Sequence, residues 1–126
     1  MEERFVVAMS GGVDSSVAAA LLAEARGPAA PGDAPTVEGV MLKVWDHARG
    51  CPDPKRSGRL NACCSIEDVS DALGVATKIG VPFQVIDNHM DFDRAVLEPA
   101  IRAYAEGRTP NPCVDCNRHL KFGSLL

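Results

Sequence analysis

Serine, glycine and aspartate residues are concentrated near the start of the chain, in the stretch Ser10-Gly11-Gly12-Val13-Asp14-Ser15-Ser16. The glycines lack a Cβ atom, so the backbone can turn sharply there and come close to a ligand. The serine hydroxyls are hydrogen-bond donors. A helix that begins after the glycines would add free N–H groups and the positive end of its dipole. This combination of groups suits the binding of a phosphate chain.

A second stretch whose side chains could take part in a reaction contains a pair of cysteines. It is Gly107-Arg108-Thr109-Pro110-Asn111-Pro112-Cys113-Val114-Asp115-Cys116-Asn117. Its prolines predict a stiff, extended loop. Thiols next to positive charge have a larger thiolate fraction, and cations flank the motif: Arg108, Arg118, His119 and Lys121. The Cys-x-x-Cys spacing alone leaves reactive thiols, half of a zinc site and packing cysteines open as alternatives.

The sequence around the glycines predicts a strand, a turn and a helix. The apolar run from Arg4 to Met9 predicts the strand, and the Ala/Leu-rich run from near Val13 to Ala25 predicts the helix. The glycine motif is therefore predicted to form the turn that connects the strand to the helix. It lacks the lysine of a Walker A loop and the spacing of a Gly-x-Gly-x-x-Gly loop.

The rest of the chain continues the alternation of strands and helices. Further strands are predicted over Val37 to about Trp45 and over Phe83 to Asp87. Helices are predicted from Ser65 to Ile79 and from Asp91, as the capping residue, to Gly107, with a break at Pro99. Gly27 is predicted to end the first helix of the chain and Gly80 the second. This order predicts a doubly wound parallel α/β sheet. Ligands of such sheets bind at the carboxyl ends of the strands.

Composition narrows the class of protein. A chain of 126 residues with 46% apolar residues is one globular domain, and its net charge of −4 confines any contact with nucleic acid to local patches. The acidic start is not a signal peptide, and no apolar run is long enough to span a membrane. These features predict a cytoplasmic protein. Two basic clusters are candidate patches: Arg49, Lys55, Arg56 and Arg59, and the cations flanking the cysteine motif.

The chain has five cysteines, an odd number that argues against a disulfide framework in a reducing compartment. Metal, persulfide or nucleophile chemistry is the alternative. Cys51, Cys63 and Cys64 are interpreted chiefly as packing thiols. Asp87, at the end of the third strand, is a candidate Mg²⁺ ligand, but a polar residue ending a strand is the simpler interpretation.

The glycine motif resembles the loop of the ATP-pyrophosphatase superfamily. Together with the cysteine motif, Cys63-Cys64-Ser65 and the pattern Asn117-Arg118-x-x-Lys121-Phe122-Gly123, it resembles the tRNA-specific 2-thiouridylases, from Arg4 to Phe122 except for the Pro/Ala-rich loop from Arg26 to Thr36. The resemblance implies that ATP adenylates O2 of the wobble uridine and releases pyrophosphate. Sulfur then replaces that oxygen at C2, and AMP leaves. It also implies that the partners are tRNA and a sulfur-donating relay protein or cysteine desulfurase.

The resemblance assigns roles to particular residues. It implies contacts to ATP from Ala8, Met9, Ser10, Gly11, Gly12, Val13, Asp14, Ser15 and Leu42, with Asp14 near a Mg²⁺ ion. The target base is implied to meet Asn111, Pro112 and Cys113, and Cys116 is the implied nucleophile, with Cys113 as a second catalytic residue. Many family members carry aspartate at the position of Cys113. Two sulfur routes therefore stay open: a persulfide, or a [4Fe–4S] cluster bound by Cys113, Cys116 and a third cysteine beyond this sequence.

The resemblance also implies a domain assignment. Residues 1–126 correspond to the N-terminal part of an ATP-binding domain, without the tRNA-binding and C-terminal domains of the family, so these residues alone are not expected to thiolate tRNA. The alternatives are another ATP pyrophosphatase, such as a ligase or amidotransferase, and an inactive nucleotide-binding fragment.

Overall fold

The computed structural model describes residues 3–28, 31–44 and 66–124. Several features of the sequence lie outside these residues. They are Trp45, the helix-capping Ser65, the cysteines Cys51, Cys63 and Cys64, and the basic cluster Arg49, Lys55, Arg56 and Arg59.

Three strands form the sheet in the order β1-β2-β3: β1 is Phe5–Ala8, β2 is Val37–Lys43 and β3 is Phe83–Asp87. β1 and β2 are parallel, with Phe5 opposite Val37 and Ala8 opposite Val40. At β3, the N–H of Gly39 donates to the carbonyl of Pro82 and the N–H of Asn88 donates to the carbonyl of Lys43, each over 2.8 Å. Both partners advance in the same direction, so β3 is also parallel. The predicted parallel α/β sheet is confirmed.

Five α-helices and two π-helical segments are present in the described residues. The α-helices are α1 (Val13–Arg26), α2 (Ile66–Ile79), α3 (His89–Phe92), α4 (Glu98–Ala105) and α5 (Pro112–Cys116). The π-helical segments are Asp93–Leu97, between α3 and α4, and Asn117–Ser124, after α5. Glycines in the left-handed region follow α1 and α2, with φ of 70° at Gly27 and 72° at Gly80, as the sequence predicts.

The core joins the sheet to α1 and α2. Its buried members are Val7, Met9, Val37, Met41 and Val81 on the sheet side and Ala19, Ala72 and Ala76 on the helices. Alanines at the contact let the helices approach closely. The sheet is equally tight at Gly39, where an added Cβ atom would lie 2.7 Å from the sulfur of Met9.

The helix after β3 begins earlier than predicted. Asp91 does not cap it, because the helix starts at His89 with Asn88 in the capping position. The reason is local: the Asp87 carboxylate accepts the N–H of His89 over 3.2 Å. The predicted break near Pro99 is present as the π-helical turn Asp93–Leu97, after which Pro99 lies in the first turn of α4. A proline is tolerated there because no N–H is needed.

The cysteine motif is not an extended loop. Pro112 begins helix α5, which carries Cys113 and Cys116, so the predicted loop conformation is wrong from Pro112 onward. The fixed φ of proline suits the first position of a helix as well as it suits an extended chain. From the sequence, only the extended chain was predicted at Pro112.

The described residues form two compact units. One comprises those between 3 and 42 and between 66 and 86, and holds the glycine motif; the other comprises 43–44 and 87–124, and holds the cysteine motif. None of the helices described above combines the length and apolar character that crossing a membrane requires.

Candidate functional site

The glycine motif lies directly after β1. The N–H of Met9 donates to the carbonyl of Val40 over 2.8 Å and extends the pairing of β1 with β2. Met9 is 2% exposed, and its side chain belongs to the core. Gly11 then takes φ of 81°, which turns the chain into α1.

Hydroxyl groups hold the loop in shape. Ser15 Oγ accepts the N–H of Ser10 over 3.2 Å and donates to the carbonyl of Gly12 over 3.2 Å. Ser16 Oγ donates to the same carbonyl over 2.8 Å, and Ser10 Oγ accepts the N–H of Gly12 over 3.3 Å. Gly12 itself supplies no side-chain cap for α1. The first-turn N–H groups of this 14-residue helix are therefore available to an anion.

A second helix packs on the same loop. A Cβ atom at Gly11 would lie 2.7 Å from the carbonyl oxygen of Asp68 and 3.2 Å from its Cα atom. Asp68 is in the first turn of α2. Gly11 is thus required twice, by its positive φ and by the approach of α2. The glycine motif could be recognised in the sequence, but no sequence pattern indicates that Asp68 packs against Gly11.

The other predicted ATP-contacting residues are in the same unit as this loop. Asp14 is exposed in the first turn of α1, Val13 is 78% exposed, and Ala8 is exposed at the end of β1. Leu42 is half-buried on β2, two residues beyond Val40, which pairs with Ala8. The structure thus brings Leu42 to the strand that neighbours the loop, near the carboxyl ends of β1 and β2.

The second unit presents the cysteines on α5. Asn111 is the N-terminal capping residue, and its carbonyl accepts the N–H of Val114 over 3.1 Å. Cys113 is exposed and Cys116 is half-buried, and they are not joined in a disulfide. Residues three apart share a face of a helix. The predicted base-contacting residues, Asn111, Pro112 and Cys113, are contiguous and all exposed.

Helix α5 is packed against neighbouring segments of its own unit. It packs on the π-helical turn Asp93–Leu97, where Val96 is fully buried, and the segment that follows α5 is anchored by the fully buried Leu120. Single π-helical turns occur frequently at functional sites. The two cysteines are therefore held on a packed scaffold.

A charged cluster in the second unit was not predicted as a group. Lys43 Nζ lies 3.1 Å from Asp87 Oδ2, and His89 Nδ1 lies 2.6 Å from Asp87 Oδ1. The pKa of Asp87 is well below its ordinary value, chiefly because of the hydrogen bond to the His89 side chain, then that to the His89 N–H, then that to Lys43. Both oxygens of Asp87 are engaged, which favours its interpretation as a structural residue over a Mg²⁺ ligand.

In residues 3–28, 31–44 and 66–124, no three His, Cys, Asp or Glu side chains are grouped to hold a metal ion. Cys113 and Cys116 provide two thiols on one helical face, and Asp14 provides one exposed carboxylate beside the glycine loop. Each supplies part of a ligand set.

Comparison with known proteins covers nearly the whole chain. The model of the family described as the tRNA methyl transferase HUP domain matches residues 3–126. A tRNA-specific 2-thiouridylase MnmA of Acidiphilium cryptum is 48% identical over 123 residues, which is 98% of this chain and 32% of the relative. The corresponding protein of Geobacter metallireducens is 44% identical over 125 residues, covering 98% of this chain and 31% of the relative.

A third relative gives the same picture. The tRNA-specific 2-thiouridylase MnmA of Deinococcus radiodurans is 43% identical over 124 residues, or 98% of this chain and 29% of the relative. The chain therefore spans about 30% of the length of the curated relatives it matches.

Proposed function

This chain belongs to the family described as the tRNA methyl transferase HUP domain, and we propose that it forms the ATP-binding part of a tRNA-specific 2-thiouridylase, the activity in the names of its relatives. The observation that carries the proposal is the glycine loop between β1 and α1. Its backbone turns at Gly11, with φ of 81°, and leaves the first turn of α1 without a side-chain cap. Such a loop suits a phosphate chain.

The residues favour thiolation over methylation. A uridine carbonyl oxygen is a poor leaving group, and joining it to AMP makes it a good one. That activation consumes a phosphate chain, which the glycine loop suits, whereas transfer of a methyl group to a base has no use for one. The exposed Cys113 and the half-buried Cys116 then supply thiols that can carry sulfur.

In the first step, O2 of the uridine attacks the α-phosphorus of ATP, and the bond from that phosphorus to the β-phosphate oxygen breaks. The first-turn N–H groups of α1, with the hydroxyl of Ser10, hold the departing pyrophosphate. The exposed Asp14 carboxylate fits one ligand position of a Mg²⁺ ion, which usually takes one or two carboxylates plus substrate phosphates. Bound there, the ion would neutralise phosphate charge.

In the second step, a persulfide on Cys116 forms a bond from its outer sulfur to C2, and the bond from C2 to O2 breaks as AMP leaves. A second thiol then attacks Sγ of Cys116, so the outer sulfur stays on the base and a cysteine disulfide remains. A thiol reductant restores both cysteines. A sulfur-donating relay protein or cysteine desulfurase reloads Cys116, in the reducing cytoplasm where thiols persist.

The alternative sulfur route uses a [4Fe–4S] cluster. Cys113 and Cys116 fit two of its ligand positions, since thiolates are the usual ligands of such clusters. No grouped third ligand is found in the described ranges.

The test measures pyrophosphate release and 2-thiouridine formation by protein expressed from the complete gene. We expect ATP to be cleaved between the α and β phosphates when unmodified tRNA is added, and 2-thiouridine to appear when a sulfur donor is present. Release stimulated instead by an amino acid or a free nucleotide would make the protein another ATP-dependent ligase. A methylated base formed from S-adenosylmethionine would replace thiolation with methyl transfer.

A further inference from the structure

The π-helical segment Asn117–Ser124 exposes an unusual combination of side chains. Arg118 and Lys121 are exposed, and Phe122 is 70% exposed, whereas Leu120 between them is fully buried. Residues three and four apart on a helix are neighbours on its surface. Arg118 and Phe122, four apart, therefore lie side by side, and the exposed Lys121 precedes Phe122 in the chain; these three residues are called the Arg118–Phe122 strip.

The strip is positively charged in a chain of net charge −4. The segment Asn117–Ser124 contains no aspartate or glutamate. Four of the seven other Lys and Arg residues in the described ranges are paired with carboxylates: Arg4 with Glu38, Arg26 with Glu3, Lys43 with Asp87 and Arg108 with Glu106. Arg118 and Lys121 have no carboxylate partner in this described part of the chain. Their charges are available to a partner.

The chemistry of the strip fits RNA. Guanidinium and ammonium groups bind phosphates, and an exposed aromatic ring offers a surface on which an unpaired base stacks. Protein–protein interfaces, by contrast, are depleted of lysine, although arginine and phenylalanine are enriched in them. Two unpaired cations beside one ring in a net acidic chain are therefore better matched to a single-stranded polyanion.

The position of the strip agrees with this partner. It begins two residues after Cys116, and Phe122 lies six positions after Cys116, which is about 9 Å along the axis at the rise of an α-helix. A base held at Asn111, Pro112 and Cys113 would thus have its neighbouring nucleotides within reach of the strip.

Resting on the function proposed above, we propose that Arg118, Lys121 and Phe122 bind the tRNA nucleotides that adjoin the reacting uridine. The two cations hold phosphates, and the ring of Phe122 stacks on a neighbouring base. The strip contributes to tRNA affinity and not to ATP binding, which belongs to the glycine loop.

The experiment measures binding of tRNA to protein from the complete gene over a range of salt concentrations. Arg118→Ala and Lys121→Ala should each weaken binding and lower the slope of log K against log salt by about 1. Phe122→Ala should weaken binding roughly 5- to 100-fold and leave the slope unchanged. Lys121→Arg and Phe122→Tyr should restore the behaviour of the unmodified protein, because charge and stacking surface are kept.

Lys78→Ala is the matched control, because Lys78 is an exposed cation in the last turn of α2, in the other unit. It should leave both slope and affinity unchanged, and ATP affinity should be unchanged in every variant. Strip variants with unaltered tRNA affinity and slope overturn the inference, as does a loss confined to binding of the sulfur-donor protein. Failure of the unmodified protein to bind tRNA overturns the proposed function instead.

Discussion

Gly11 packs against the backbone of Asp68 so closely that a Cβ atom at position 11 would lie 2.7 Å from the Asp68 carbonyl oxygen. Gly11 belongs to the loop after β1, and Asp68 belongs to the first turn of α2. The candidate phosphate loop is therefore fixed from two sides, by the serine hydroxyls inside it and by a helix from further along the chain.

Gly11→Ala should damage both stability and nucleotide binding. The substitution places a side chain at φ of 81°, which costs about 1–2 kcal/mol, and the backbone contact with Asp68 must also give way. We expect a loss of unfolding free energy above about 2 kcal/mol in urea denaturation, together with loss of ATP binding in calorimetry.

Gly80→Ala separates these two effects. Gly80 has a similar φ of 72°, but an added Cβ atom meets nothing within 4 Å. It should lose only about 1–2 kcal/mol and keep its ATP affinity. Equal losses in the two variants would show that the contact with Asp68 contributes nothing.

Asp14→Ala should abolish pyrophosphate release and leave the fold intact. Asp14 is an exposed carboxylate in the first turn of α1, so its removal leaves no cavity, but it removes the proposed Mg²⁺ ligand. Pyrophosphate release should fall at least about a hundredfold, with an unchanged thermal midpoint. Asp33→Ala, which removes another exposed carboxylate, is the control and should release pyrophosphate at the normal rate. Normal release by Asp14→Ala would remove Asp14 from the site.

The features that depend on local sequence pattern could be predicted from the sequence. The parallel sheet, the bounds of β3 and the glycine turn before α1 all follow from apolar runs and from glycine chemistry. The glycines ending α1 and α2 follow in the same way, because a left-handed residue after a helix is a local requirement.

The predictions that were wrong or missing concern positions whose structure is determined by a contact with a distant residue or by a competing local contact. Asp91 has the right composition for a cap, but Asp87 already binds the N–H of His89 and starts the helix there. Pro112 suits both an extended chain and a helix start, and packing of α5 on Asp93–Leu97 favours the helix. The ion pair of Lys43 with Asp87 joins residues 44 positions apart, which no local pattern shows.

The Asp87 cluster should make stability depend on pH. The folded-state pKa of Asp87 is lowered, so its contribution is fully present above its unfolded pKa, near 4, and is lost as pH falls through the folded value. Asp87→Asn should therefore be less stable than the unmodified protein at pH 7, by a margin that shrinks below about pH 4. Urea denaturation at several pH values measures this margin.

Partner variants rank the causes of that pKa shift. His89→Ala should raise the pKa of Asp87 more than Lys43→Met does, because the hydrogen bond to the His89 side chain is the largest cause. NMR titration of the Asp87 carboxyl carbon measures the pKa of Asp87 in each of the two variants. A larger rise in Lys43→Met would reverse the order and make the lysine the principal partner.

The two cysteines of α5 should separate adenylation from sulfur transfer. Cys116→Ser should keep tRNA-stimulated pyrophosphate release and reduce 2-thiouridine formation by about a thousandfold or more, since the proposed sulfur carrier is removed. Val114→Ser, which changes the exposed residue between the cysteines and keeps both thiols, should retain both activities. Loss of pyrophosphate release in Cys116→Ser would instead place Cys116 in the adenylation step.

Cys113→Ser distinguishes the two sulfur routes. If Cys113 and Cys116 bind a cluster, anaerobic incubation of the complete protein with iron and sulfide should give a brown protein with broad visible absorbance, and Cys113→Ser should lose that colour. On the persulfide route the protein stays colourless and active without iron, and Cys113→Ser still accepts labelled sulfur on Cys116. Mass spectrometry of the peptide containing Cys116 reads this directly, because a persulfide adds one sulfur atom that a thiol reductant removes. Labelled sulfur on Cys113 in the Cys116→Ser protein, with none on Cys116 in Cys113→Ser, would exchange the roles of the two thiols.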